Sequence, residues 1–383
     1  MFEVITARQL AAMLDDGAAF TLVDTRPRES YEAWHVPGAV SFPFGPTEEL
    51  TESRLPEVTE LVGDYDEPVV TICGKGVTSA NLAVNLDRQG YDEVFAVGGG
   101  MREWNELYET ATHEPDDDLV VVQLQRRAKG CLSYLVGSRR AGDAVVVDAG
   151  RHTDQYIVRA AELGLGITRT LDTHVHADHV SGGRELADRL GIHYHLGAGA
   201  SDRDVDVDYV PLSDGESVSV GEVPLTALST PGHTSEMTSY RLGDLALFSG
   251  DALFVDSLGR TELQFGDEGA AEGARMAYET LHEVFAGLSE DLLVLPGHVD
   301  VSAAGHYSVG APGVLVGERL EAVIDGLEQF GLDEAAFVDR MTTNLSEKPA
   351  NYERVIRINR GVEALTDPIE AIDVETGRNN CAV

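Results

Sequence analysis

The chain has 383 residues, 43% of them hydrophobic, and a formal charge of -38 from 66 acidic against 28 basic side chains. This length exceeds one ordinary core and suggests two domains, while the charge repels nucleic acid and anionic membrane, whose recognition needs a basic face. No apolar run is long enough to span a bilayer, and the start "MFEVITARQLAAMLDDG" has neither a basic leader nor an apolar signal core, so a soluble cytoplasmic protein is expected.

In chain order, Thr6 can cap a helix through "ARQLAAMLDDG" that ends at Gly17, and "FTLVDTR" reads as a short buried strand. A strand "PVVTIC", a helix "SANLAVNLDRQG" with Gly90 past its end, a strand "VFAV" and a helix "MREWNELY" follow, which makes a parallel α/β unit. The acidic, weakly patterned stretch "ETATHEPDDD" reads as a linker and places the domains at residues 1–115 and 116–383. Beyond it come consecutive strands, "LVVVQLQ", "CLSYLVGS" and "DAVVVDAG", before a helical pattern returns at "TDQYIVRAAELG".

The loop "CGKGVTSA", 73 to 80, lies between a predicted strand and a predicted helix. Backbone N–H groups of a glycine-bearing loop and the positive end of the following helix favour the Cys73 thiolate, and such a cradle suits an anionic persulfide. A buried structural cysteine is the competing reading. Upstream, "LVDTRPRESYEAWHVPGAVSFP" resembles the rhodanese family in its Asp-x-Arg, here Asp24 and Arg26, and in its His-x-Pro-Gly-Ala turn, His35 to Ala39. The loop itself resembles the active loops of sulfurtransferases. The resemblance implies that Cys73 carries a sulfane sulfur, that Lys75 attracts thiosulfate, and that Asp24, Arg26 and Gly76 belong to the substrate side of the site. Many single-domain rhodaneses place an arginine where this chain has Thr78.

The second half holds "THVHADHVSG", 173 to 182. Two histidines one residue apart on an extended segment point the same way, so His174 and His176 can flank one ion, with Asp178 and His179 following. Further metal-ligand types recur at the ends of later predicted strands: His233 in "STPGHTSEM", Asp251 in "LFSGDALF" and His298 in "VLPGHVD". The motif alone leaves two chemistries open, hydrolysis of an ester-like bond by two zinc ions or oxidation of sulfur by one iron. His193 and His195 in "IHYHLG", together with His282 and His306, are expected to be ordinary histidines outside any site.

This series resembles the metallo-β-lactamase superfamily from about residue 118 onward, which implies an αββα sandwich with a metal site at one edge of two sheets. The expected fold is therefore α/β: a rhodanese-like parallel sheet with flanking helices, then the sandwich. Glyoxalase II-type hydroxyacyl-thiol hydrolases of that superfamily would use all seven residues for two Zn2+ ions bridged by Asp251. Persulfide dioxygenases would hold a single Fe(II) through His174, His233 and Asp251, leaving His176, Asp178, His179 and His298 to orient ligands or handle protons.

Three features favour the dioxygenase branch. "GDALFVDSLGRTELQFGD" resembles its Gly-Arg-Thr-acid pattern, which implies that Arg260 holds a substrate carboxylate or the sulfite product. "NLSEKPANYERVIRIN" resembles its Lys-Pro segment, and a fused rhodanese would make or consume the same persulfide. Val299 and Asp300 follow His298 where dioxygenases commonly have Asp-Tyr, and no basic glutathione clamp is evident. The expected partners are a small thiol persulfide, thiosulfate or sulfite, and O2, with self-association left open. A scaffold in which the first domain only docks a persulfidated partner is the reading from another class.

Cys131, in a strand pattern, is expected to be packed, and Cys381, in "NNCAV", to be exposed on a mobile tail. The three cysteines include no CxxC, so neither a disulfide framework nor a thiolate zinc site is expected. Acidic residues are spread along the chain and the lysines are only Lys75, Lys129 and Lys348, a composition that resembles proteins of salt-loving archaea.

Overall fold

The computed structural model describes every residue except Asp64, Asn344, Ser346, Arg378, Asn380, Ala382 and Val383, and the side chain of Pro368. Asn344 and Ser346 of the Lys-Pro segment, and Asn380, Ala382 and Val383 of "NNCAV", thus lie outside the described residues.

The first sheet has five strands in the order Glu3–Ile5, Val94–Val97, Val69–Ile72, Thr21–Asp24, Ala39–Ser41, all parallel. Alternation along each strand divides its side chains between two cores. Leu22, Val70, Ile72 and Val97 pack with Leu10, Trp34 and Trp104 on one face, while Val23, Val69 and Ala96 pack with Val58, Leu82 and Leu86 on the other. The first helix, Ala7–Asp15, starts at a capping box in which the Thr6 hydroxyl accepts from Gln9 N and Gln9 Oε1 accepts from Thr6 N.

Two further sheets lie face to face. One has seven strands, in the order Val210–Leu212, His193–Gly197, Gly166–Leu171, Asp143–Val147, Cys131–Ser138, Leu119–Arg126, Tyr108–His113. The other has six, Ser217–Val220, Val223–Ser229, Thr238–Leu242, Ala246–Gly250, Leu293–Pro296, Glu318–Arg319. Val121, Tyr134, Val136, Val145 and Val147 from the first meet Leu225, Tyr240, Leu242 and Phe248 from the second. Alternate residues, such as Val120, Leu135 and Val146 on one side and Leu247 and Val294 on the other, face outward beneath helices Asp154–Glu162 and Glu262–Glu279. This is the helix–sheet–sheet–helix layering expected for the second half.

The stretch 109–118 is not the linker expected from its composition. Tyr108–His113 is an antiparallel edge strand paired with Leu119–Arg126, so the chain enters the second half's sheet directly after the last helix of the first, Gly100–Asn105. Its exposed residues are Thr110 and Thr112, and the acidic run from Glu114 to Asp118 that follows hid the strand pattern. The two halves also touch through side chains: Arg127 pairs with Asp15 and lies 5.4 Å over the Trp104 ring. Among the described residues, no helix is long and apolar enough to cross a membrane.

Candidate functional site

Cys73 follows strand Val69–Ile72, and helix Val77–Gln89 begins four residues later. Gly76 adopts φ 81°, and a Cβ there would collide with the Gly98 carbonyl, so only glycine lets the loop fold back this tightly. The Ser79 hydroxyl donates to Cys73 Sγ at 3.3 Å. Burial pushes the thiol up, but hydrogen bonds from the side chains of Ser79 and Thr78 and from the backbone of Ser79 and Lys75 outweigh it and bring Cys73 below its ordinary value. Cys73 opens on a cavity of 590 Å³ lined by Arg26, Phe44, Pro46, Lys75, Val77 and Thr78 among others.

Of the expected substrate-side residues, Lys75 and Arg26 line this cavity and Asp24 does not. Asp24 is fully buried and holds Arg26, whose Nη2 donates to Asp24 Oδ2 at 2.7 Å and to the Trp34 carbonyl at 2.6 Å. Gly76 acts through backbone shape, and Thr78, where an arginine is common, hydrogen-bonds Thr25 at 2.7 Å.

The second site lies at one end of the two facing sheets. Loops after Asp143–Val147, Gly166–Leu171, Val223–Ser229, Ala246–Gly250 and Leu293–Pro296 carry Asp148, His174 to His179, His233, Asp251 and His298. Gly297 permits the last approach, since a Cβ there would collide with Asp251 Oδ1. All seven residues named from the sequence come together and are at most 4% exposed.

Three of them meet at one point. His174 Nε2, His233 Nε2 and Asp251 Oδ2 are buried with no hydrogen-bond partner, and they converge: His174 Nε2 lies 3.9 Å and His233 Nε2 3.6 Å from Asp251 Oδ2. A buried polar atom left unpaired costs roughly 1–3 kcal/mol, so three aimed at one point fit a cation. The outer nitrogens are oriented, with His174 Nδ1 2.9 Å from the Thr173 hydroxyl and His233 Nδ1 2.7 Å from the Arg260 carbonyl. Burial first, then the neighbouring His176 and His233, holds His174 well below its ordinary value, in the neutral form a metal needs.

Asp178, His179 and His298 are hydrogen-bonded among themselves and to Asp251. His298 Nδ1 lies 2.6 Å from Asp251 Oδ1 and its Nε2 2.9 Å from Asp178 Oδ2, while His179 Nδ1 lies 3.0 Å from the same Asp178 oxygen. His176 stands apart: its Nε2 lies 3.3 Å from Asp148 Oδ1, and both of its ring nitrogens are buried without a hydrogen-bond partner. None of His193, His195, His282 and His306 joins these donor groups.

Arg260 is 1% exposed, and its guanidinium engages Glu262 and the Glu347 carbonyl. One expectation is corrected. Cys381 is 2% exposed rather than on a free tail; its carbonyl accepts from Arg260 N, and its Sγ lies within 4.8 Å of donor atoms of Asp251 and His298. Cys131 is packed as expected and also donates to Asp178 Oδ2 at 3.1 Å.

Sequence reasoning missed Asp148, which accepts from Thr173 N and Thr173 Oγ1, and Asn359, which donates to the His176 and His179 carbonyls. It also missed Glu375, which accepts from Val180 N, and Asn379, which donates to Asp178. Asp148 follows the strand "DAVVV" as Asp251 follows "ALFSG", which was the one available signal.

Residues 6–107 match the family model of the rhodanese-like domain, and residues 126–298 match that of the metallo-beta-lactamase superfamily. The mitochondrial persulfide dioxygenase ETHE1 of Homo sapiens is 32% identical over 170 residues, 43% of this chain and 63% of that protein. Its Bos taurus counterpart is 31% identical over 182 residues, 47% of this chain and 68% of that protein, so the match spans about two thirds of these relatives' length. A hydroxyacylglutathione hydrolase of Polaromonas sp. is 34% identical over 169 residues, 43% of this chain and 61% of that protein. Among solved structures, a metallo-beta-lactamase from Staphylococcus aureus superposes with a TM-score of 0.59 at 26% identity, covering 66% of this chain and 75% of that one. ETHE1 from Myxococcus xanthus superposes with a TM-score of 0.55 at 28% identity, covering 63% and 98%.

Proposed function

The chain belongs to the metallo-beta-lactamase superfamily through its second half and carries a rhodanese-like domain in its first, and from that membership we propose that it is a persulfide dioxygenase coupled to sulfur transfer. A low-molecular-weight thiol persulfide, dioxygen and water would give sulfite and the free thiol. The observation that carries this reading is the convergence of the three unpartnered atoms of His174, His233 and Asp251 beside Asp178, His179 and His298, which are already hydrogen-bonded among themselves. Two histidines and one carboxylate would hold a single Fe(II), which supplies redox chemistry and open positions for both reactants. The similarity to ETHE1 proteins favours this over the two-zinc thioester hydrolase that the hydroxyacylglutathione hydrolases represent.

The chain's own groups divide the remaining work. Thr173 and the Arg260 carbonyl orient the two histidines, His298 fixes Asp251 from its other oxygen, and the His298–Asp178–His179 chain can hold and pass the protons that the reaction releases. In the first domain, the Cys73 thiolate would attack the outer sulfur of thiosulfate, break the S–S bond and release sulfite. The resulting persulfide would then pass its sulfur to a small thiol. Lys75 is the cation nearest this chemistry in sequence, and it lines the cavity.

The test is oxygen uptake with glutathione persulfide on protein of quantified iron content. The proposal predicts uptake and sulfite release in step with iron. Thioester hydrolysis without oxygen uptake would replace it with the hydrolase. Cys73→Ser should abolish thiosulfate-dependent turnover and spare turnover with added persulfide; persistence of the former would make the first domain a docking module.

A further inference from the structure

Asp178 belongs to the group that could hold a second metal, yet one of its carboxylate oxygens is fully engaged. Its Oδ2 receives the Cys131 thiol at 3.1 Å, His298 Nε2 at 2.9 Å, His179 Nδ1 at 3.0 Å and the Asn379 amide at 3.1 Å. A carboxylate oxygen offers about two lone pairs, so four donors crowd Oδ2 and leave none on that oxygen for an ion. His298 adds to this: its two ring nitrogens face carboxylate oxygens, Asp251 Oδ1 at 2.6 Å and Asp178 Oδ2 at 2.9 Å. The donor set of Cys131, Asp178, His179 and His298 is buried throughout.

We propose that Cys131 and Asn379 are positioning residues that lock Asp178 into this network and so keep a second metal out, making the centre take one ion instead of two. The inference rests on the single-metal reading above and names the residues that enforce it. Cys131 comes from the start of strand Cys131–Ser138 and Asn379 from the segment beyond helix Pro368–Glu375, so the lock is closed from two sides by elements that supply none of the three converging ligands.

The experiment counts zinc bound by the full-length chain after metal removal and dialysis against excess zinc. Wild type should hold about one ion per chain. Cys131→Ala and Asn379→Ala should each raise the count towards two, and Cys131→Ser, which keeps an O–H donor, should return it to the wild-type value. A cobalt-loaded wild type should show no thiolate-to-cobalt absorption band. An unchanged count in both alanine variants, a lower count in Cys131→Ala, or a thiolate band lost in that variant would overturn the lock; the last two would make Cys131 a ligand. Two zinc ions in wild type would instead overturn the single-metal reading.

Discussion

Asp148 shows how the metal centre is built one residue at a time. It sits at φ 55°, a left-handed conformation that a non-glycine residue adopts only when its surroundings hold it there, and its carboxylate fixes Thr173, whose hydroxyl meets His174. Asp148→Ala should lower metal affinity by roughly 10–100-fold, read by competition with a chelator, because partners of ligands tune the ligands; unchanged affinity would remove Asp148 from the account. Cys73 makes a second prediction. Its thiol titrates below the ordinary 9.0, so its alkylation rate should stay high at pH values where a free cysteine has slowed, and Ser79→Ala should move the profile back up. His233, Asp251 and His298 were legible because each follows a predicted strand, which places its side chain at a sheet end, and His174 to His179 because four ligand types crowd one short motif. Cys381 was not, since its burial depends on contacts such as Arg260 N to its carbonyl, which join residues far apart in sequence. It should resist thiol reagents until the chain unfolds; rapid labelling of the native protein would contradict its burial.

Among elements, helix Pro368–Glu375 does most to attach the end of the chain to the site. Its last residue, Glu375, is buried between Arg126 and Arg151 and accepts from Val180 N, next to the histidine loop. Burial opposes its charge, but the two guanidinium groups outweigh burial and bring Glu375 down from 4.5 to about 2. Its contribution to stability is therefore complete above pH 4.5 and is lost as pH falls towards 2. Glu375→Gln leaves the fully buried Arg126 without its counter-charge, while Arg151 keeps Glu106, and should cost about 3–5 kcal/mol in denaturant unfolding at neutral pH. The variant should also lose less stability than wild type across that acid window; equal losses would contradict the linkage. Neither this helix nor strand Tyr108–His113 stood out in the sequence, because each buries few apolar residues and the partners of those residues lie in other elements. The strands "LVVVQLQ" and "CLSYLVGS" stood out because burial on both faces leaves an almost unbroken apolar run.

For the whole molecule, a charge of -38 over a well-packed interior means that self-repulsion opposes the compact state and salt relieves it. The melting temperature should rise as potassium chloride is raised from about 0.1 M, where screening reaches about 10 Å, to about 1 M, where it reaches about 3 Å; a flat response would contradict the repulsion argument. The two-part layout was legible from alternating strand and helix signals followed by consecutive strands. The joint between the parts was not, because it is made by side chains such as Arg127 on Asp15 and Trp104. The account as a whole turns on one ion held by His174, His233 and Asp251. Metal analysis of the protein purified from its native source tests this most directly: about one iron per chain is the predicted result, and two zinc ions with no iron would contradict it.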